Sequence, residues 1–442
     1  MISALARLIG ADHTGPLPVV IQKGSGTHRN YRILGYGLLL VIMLLLPFIL
    51  PEFQVTRLNR TIAMAVAILG LNLVLGYSGL FALCQSAFIA LGAFTSGSLI
   101  MDHGWDYWMT IPLGMFVAFL VGLGLGVPAL KIKGLYLAMT TVAFAAAFPS
   151  LTKLEFFGIP ERTGGANGRE ITEKMDPPSW MPIFTDTEPG RYRYFPIAIL
   201  GILAFWAVGN LVKSRPGRAV VAIRDNEIGA AVSGVDLRRF KVLNFGLSAA
   251  IGGLAGVMWA MNSGFVAEQD FTFILMVDLL VGLVVGGVAT ISGAAVGAVV
   301  VVFGRWLCQT YFDYSMSSMI WLFLVITLAV FLSRQQTTGL RKFLTAAGTV
   351  IAGSLIGIAL FAAVDVPGLY QLNGDGPLSQ AIFGIVLISF VFFAPQGIIG
   401  AWRKVWSRLF FIAPVPPALA ADAEILVNDV AGLTAEIDAA TP

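Results

Sequence analysis

The sequence predicts an all-α polytopic membrane protein with about 10–12 transmembrane or half-spanning helices. Three observations carry this. Of the 442 residues, 57% are hydrophobic and only 12% are charged, and a mean hydropathy of +0.83 leaves too little polar surface to cover a water-soluble globule of this size. Apolar runs of roughly 17–23 residues recur, which matches the hydrocarbon thickness at about 1.5 Å per helical residue, and alternating strands of about ten residues are absent. The third observation is a polar island, Lys213–Lys241, holding seven Lys/Arg and three acids. Placing it in lipid would cost on the order of 25 kcal/mol, so it lies in water between two spans.

In chain order, residues 1–32 form a polar arm with Arg7, Lys23, Arg29 and Arg32. No short apolar core with a small-residue cleavage site follows it, so the first span is expected to stay as an anchor. A transmembrane domain over 33–404 then reads as spans at 33–50, 61–76, 84–100, 109–130, 134–151, 194–212, 240–262, 272–287, 293–310, 316–333, 345–364 and 379–395. Threaded from a cytoplasmic N-terminus, they place nineteen Lys/Arg on the cytoplasmic side and eight outside, with Arg305 left in a span. The positive-inside rule favours this orientation, with both termini and the polar island in the cytoplasm of a cell whose inner membrane holds the chain. GYSG at Gly76–Gly79 and GGVATISG at Gly286–Gly293 cut two pairs of runs, as half-spans that turn back or as tight turns between full ones. The 152–193 segment is a long outer loop, 334–378 carries an added apolar run, and the 405–442 tail, proline-led and acidic from Ala413 onward, is expected to be disordered or a weak helix near Ala418–Ile437.

Forty-nine glycines fit close helix contact in lipid, where small residues let backbones approach. Cys84 and Cys308 both lie in apolar runs and read as packing residues. The net charge of +3 is too small to argue for a nucleic-acid partner, and surrounding lipid is the expected environment. No G-x-x-x-x-G-K-[ST] run is present, and His13, His28 and His103 are scattered. Neither a nucleotide site nor a metal site is therefore expected, and the chain does not read as an enzyme.

The lone intramembrane charges Asp278 and Arg305 read as a structural ion pair across neighbouring helices. Asn72, Gln85, Ser86, Thr140, Thr141, Asn244 and Asn262 are candidate pathway-lining residues; the bland alternative is that each bonds a neighbouring helix. Within the polar island, Ser214 can cap a helix, Pro216 falls in its first turn, and Ala219, Ile223, Asn226 and Ala230 recur at helical spacing before Gly234. This predicts one short helix along the membrane surface, suited to docking a soluble partner. An ion-coupled secondary transporter is the alternative class, against which stands the lack of a chain of intramembrane carboxylates.

Several motifs together resemble the permease subunits of the branched-chain amino acid ABC importer family, which has urea, amide and aromatic-acid relatives. Leu69–Phe94, LGLNLVLGYSGLFALCQSAFIALGAF, is similar to its GLNL..GY.G..SLGHAAFFGIGAY signature. Gly134–Phe144, GLYLAMTTVAF, resembles its GxYFAMVTLAF span, and Thr163–Gly168 its TGGxNG loop. Ser214–Ala260 is the closest stretch, and Leu279–Ala298 and Phe392–Gly400 follow in the family's order. Cys84-Gln85 departs from the usual Gly-His.

The resemblance implies an importer of small polar solutes, by default branched-chain amino acids. It implies a second, homologous permease, an extracytoplasmic binding protein and two cytoplasmic ATPases that carry the ATP and Mg, so this chain binds no cofactor itself. The polar island corresponds to the family's cytoplasmic coupling helix over 213–239. Gly217, Arg218, Ala219, Arg224, Asn226, Glu227, Ala230, Ala231 and Gly234 match there and are the implied ATPase-coupling residues.

Overall fold

The computed structural model describes residues 19–22, 43–132, 134–151, 168–171, 189–312, 397–400 and 410–413. The expected spans at 316–333, 345–364 and 379–395, the 334–378 segment and most of the 152–193 loop lie outside them. The chain divides into two compact units, Met1–Leu45 with Trp402–Pro442, and Leu46–Ala401. In the first, strand β1 (Val19–Gln22) pairs in parallel with β4 (Phe410–Ala413), Val19 opposite Phe410. One strand falls in the expected arm and the other in the tail expected to be disordered. Four residues are too short a run to show alternation, and the partners come from opposite ends of the chain.

The second unit is a helical bundle. Its helices are α1 (Glu52–Leu71), α2 (Gln85–His103), α3 (Tyr107–Gly126), α4 (Leu135–Leu151), α5 (Pro189–Lys213), α6 (Arg215–Asp225), α7 (Glu227–Val232), α8 (Leu237–Ser263), α9 (Phe273–Gly286) and α10 (Ile291–Phe312). Two residues each make β2 (Arg169–Glu170) and β3 (Phe265–Val266), an antiparallel pair that ties the end of the TGGANG loop to the segment after α8. Arg169 also forms an ion pair with Asp102 at the end of α2.

Among the described residues, four helical stretches are long and apolar enough to cross a membrane: Glu52–Tyr77, Tyr107–Leu130, Arg191–Lys213 and Leu237–Ser263. α9 is different. Its 14 residues rise only about 21 Å, short of the roughly 30 Å hydrocarbon layer. It turns back through Gly287–Thr290 into α10, whose 22 residues rise about 33 Å, so the glycine-broken turn joins a short helix to a longer one.

The bundle is organised around α8 and α1. Ser248–Met261 and Ala63–Val74 are buried without interruption, as expected of helices that are apolar on every side. α2, α3 and α1 all pack on α8. α3 buries only Tyr107, Thr110, Gly114, Ala118, Gly122 and Gly126, one stripe at intervals of three or four residues, and leaves Phe116 and Leu120 exposed. That stripe runs antiparallel along α8: a Cβ at Gly114 would lie 2.7 Å from Val257 Cγ2, and one at Gly126 would lie 3.1 Å from Val242 Cα.

Lipid tails are as apolar as leucine, so close backbone packing rather than hydrophobic exclusion holds such helices together. The tightest approaches follow. Gly256 of α8 faces the Ile89 carbonyl of α2, Gly92 faces the Gly253 carbonyl, and Gly282 and Gly286 of α9 meet Gly297 and Gly293 of α10. A branched side chain at Gly256 would meet backbone, which cannot rotate away. Gly256→Val is expected to lower stability by about 3 kcal/mol or more, read as a lower unfolding temperature of the detergent-solubilised chain.

Candidate functional site

α1 ends in a π-helical turn, Asn72–Tyr77. The wider turn breaks the regular ladder and leaves carbonyls to be satisfied from elsewhere, a feature common at functional sites. Side chains of α8 and of the turn itself supply donors, and Gln85 of α2 braces them. Asn244 Nδ2 of α8 donates to the Leu73 carbonyl at 2.8 Å and to Ser78 Oγ at 3.1 Å. Ser248 Oγ donates to the Gly70 carbonyl at 2.7 Å, and Gln85 Nε2 to the Ser248 carbonyl at 3.4 Å. Ser78 Oγ returns to the Val74 carbonyl at 2.7 Å.

Asn72 itself acts in the other direction. Its Oδ1 accepts from the Ala289 N–H and its Nδ2 donates to the Thr290 carbonyl, both at 2.9 Å. One amide thus holds one N–H and one carbonyl of the turn between α9 and α10. Ala289 has a φ of 57°, a left-handed conformation that costs an alanine about 1–2 kcal/mol, so this turn relies on its clamp. Gly397 of the PQGIIG run has a φ of 71° and lies against Gly287 in the same turn.

The polar island lies across this end of the bundle. It is not one helix but two, because Asn226 is extended (φ −156°, ψ 103°) and caps α7 by accepting from the Gly229 N–H at 2.9 Å. An asparagine favours a cap over a helix interior because its side chain competes for backbone donors. Ser214 caps α6, with Pro216 in the first turn. α6 turns Gly217, Val220 and Ile223 inward, so the buried face differs from the Ala219–Ile223–Asn226–Ala230 stripe read from the sequence. A Cβ at Gly217 would meet the carbonyls that end α5.

Two charged side chains anchor the pair. Arg224 Nη1 donates to the Gly76 carbonyl at 3.1 Å and lies over Gly79, whose φ is 67°. Lys241 Nζ, 5% exposed, meets Glu227 Oε1 at 2.6 Å. α6 therefore grips the broken end of α1, and α7 grips the start of α8. Arg218, Asn226, Ala231 and Gly234 are exposed, Ala219 and Glu227 are half-buried, and Ala230 is buried.

The structure adds residues absent from the sequence reading. Ile228 and Val232 of α7 are 78% and 85% exposed, and at a spacing of four residues they stand on one face. Their signal was present as two apolar positions in a polar island, but exposure cannot be read from a six-residue helix.

The remaining expected site residues are scattered. Asn72, Gln85, Asn244 and Thr141 are buried and bonded as above or, for Thr141, to the Leu83 N–H at 2.9 Å. Ser86 is fully buried. Thr140 is exposed and bonds only its own helix at Leu137, and Asn262 lies at the far end of α8 with its carbonyl near Arg193. Arg305 Nη1 donates to Asp278 Oδ2 at 2.6 Å, toward the end of the bundle remote from α6. Among the described residues no cluster of His, Cys, Asp and Glu is placed to hold a metal, and Cys84 is a buried free thiol.

The elements that meet at this end are those of the family signature, and the description "Branched-chain amino acid transport system / permease component" matches residues 55–333. The chain belongs to this permease family. It is 30% identical over 296 residues to the high-affinity branched-chain amino acid transport system permease protein LivM of Salmonella typhimurium, covering 63% of this chain and 69% of that one. LivM of Escherichia coli K12 is 29% identical over the same length and coverage. The autoinducer 2 import system permease protein LsrC of Escherichia coli O9:H4 is 33% identical over 107 residues, 24% of this permease and 30% of LsrC. No solved structure matches the permease. The matched range runs from within α1 through α10, so it includes the π turn, the clamped α9–α10 turn and the α6–α7 pair.

Proposed function

We propose that this permease moves branched-chain amino acids inward across the inner membrane by alternating access, driven by two ATPases that dock on α6 and α7. In this reading a second permease completes the path and an extracytoplasmic binding protein delivers the substrate. The α6 end of the bundle and both termini face the cytoplasm. The observation that supports it is the Arg224 to Gly76 bond together with the Glu227 to Lys241 pair. Through them, a push on α6 and α7 reaches the irregular end of α1 and the start of α8 directly.

The physical requirement is two packings of the bundle close in free energy, each preferred by a different partner. A π turn whose carbonyls are held by side chains, rather than by an unbroken ladder, can exchange those partners at small cost. Asn72 passes the same displacement to the α9–α10 turn. No reactive side chain is needed, since ATP is consumed elsewhere.

The test is leucine uptake by cells or right-side-out vesicles holding the whole importer. Uptake is expected to persist when the proton gradient is collapsed and to stop when ATP is depleted. The permease should co-purify with a second permease and two ATPases. Uptake that follows the ion gradient, by a chain that purifies alone, would replace this reading with an ion-coupled carrier.

A further inference from the structure

Resting on the reading of the chain as a branched-chain amino acid permease, we propose that a cavity at the end of the bundle remote from α6 holds the transported amino acid as its zwitterion. The cavity has a volume of about 380 Å³ and lies between α1, α9 and α10. Its size is within the range of small-molecule sites.

Its wall carries charge of both signs. Arg57 and Arg60, three residues apart on α1, and Arg305 on α10 bring three guanidinium groups to it, and Asp278 on α9 brings a carboxylate. Ring faces hold two of the guanidiniums: Arg57 lies 4.5 Å from the Trp306 ring centroid, and Arg60 4.5 Å from that of Trp259. Stacking fixes the plane of a guanidinium while leaving its N–H edge able to bond; Arg57 Nη1 donates to Gln54 Oε1 at 3.3 Å, and the remaining N–H groups of its fork are available to a ligand. Among the described residues, only Arg305 of the three is in an ion pair, with Asp278.

The chemistry selects the ligand. Two oriented guanidiniums that are not ion-paired suit a carboxylate, which takes parallel N–H bonds from arginine. Asp278 keeps acceptor capacity beyond its bond to Arg305 and can receive an ammonium group. Met64, Leu275 and Val301 line the rest of the cavity, a surface for an aliphatic side chain. A lipid phosphate would satisfy the arginines but would set its charge beside Asp278, leaving the carboxylate opposed. An α-amino acid with a branched apolar side chain meets all three walls.

The experiment measures tritiated leucine binding by scintillation proximity to the assembled importer in nanodiscs, with the binding protein omitted. Leucine and isoleucine are expected to compete, whereas leucinamide, without the carboxylate, and isocaproate, without the ammonium, are not. Arg57→Gln and Arg60→Gln should each weaken binding about tenfold or more, and Arg60→Lys should restore most of it. Unfolding temperature and co-purification of the ATPases identify any variant that has lost its fold. Leucine binding unchanged in both glutamine variants, equal competition by leucinamide, or no binding by an importer that takes up leucine would overturn the inference. So would variants whose only effect is a changed dependence on phosphatidylglycerol in the disc, which would assign the arginines to lipid. If the wild-type importer with its binding protein took up no branched-chain amino acid, the underlying reading would fail first, and the inference with it.

Discussion

The double variant Ile228→Asp/Val232→Asp is expected to abolish leucine uptake while the chain still reaches the membrane in normal amount. Both side chains are almost fully exposed on α7, and neither takes part in the contacts that fasten α6 and α7 to the bundle. Burying each against a partner is worth about 1.5–3 kcal/mol, so losing both removes about 3–6 kcal/mol of docking free energy, a factor of at least 100 in affinity. Two added carboxylates would also have to be desolvated. The measurement pairs uptake with recovery of the ATPases on purification of the tagged permease. Both should be lost together, and Ile228→Leu should keep both. Normal uptake by the double aspartate variant would show that the ATPases dock elsewhere.

A comparable loss is expected from Asn72→Leu, through stability rather than docking. Leucine keeps the branched four-atom skeleton of asparagine, with methyl groups in place of the oxygen and nitrogen, so the substitution deletes the two 2.9 Å bonds to the α9–α10 turn. It leaves the Ala289 N–H and the Thr290 carbonyl without their partner, at about 1–3 kcal/mol each. The combined cost, about 2–6 kcal/mol, falls on a turn that already holds Ala289 at positive φ. Asn72→Asp should not rescue it, because aspartate cannot donate to Thr290 when ionised and would bury a charge. Thermal unfolding of the detergent-solubilised chain checks this, with uptake as the second readout. A leucine variant as stable as the wild type would show that the amide clamp contributes nothing.

Much of the architecture was legible before any coordinates. Net apolarity, run length and the charge of Lys213–Lys241 follow from elementary transfer energies: lipid rejects ten charges and accepts twenty leucines wherever they stand in the fold. The caps at Ser214 and the glycine-broken turns at Gly76–Gly79 and Gly286–Gly293 were legible too, because they are local. Which face of a span is buried was not. A lipid-facing side and a core-facing side are equally apolar, as α3 illustrates, with Phe116 and Leu120 exposed and a stripe of mostly small residues buried. For the same reason the polar residues within spans could be named from the sequence but not given partners.

Partnership was decided by tertiary structure. Asn72 meets Thr290 from 218 residues away, and Asn244 meets Leu73 from 171; no local pattern encodes such distances. The polar island shows the boundary between the two kinds of information. Its own sequence determined that it would be helical, capped and outside lipid. The packing of Arg224 on Gly76 and of Glu227 on Lys241 decided which of its faces is held by the bundle, and hence that Ile228 and Val232 are left exposed to water.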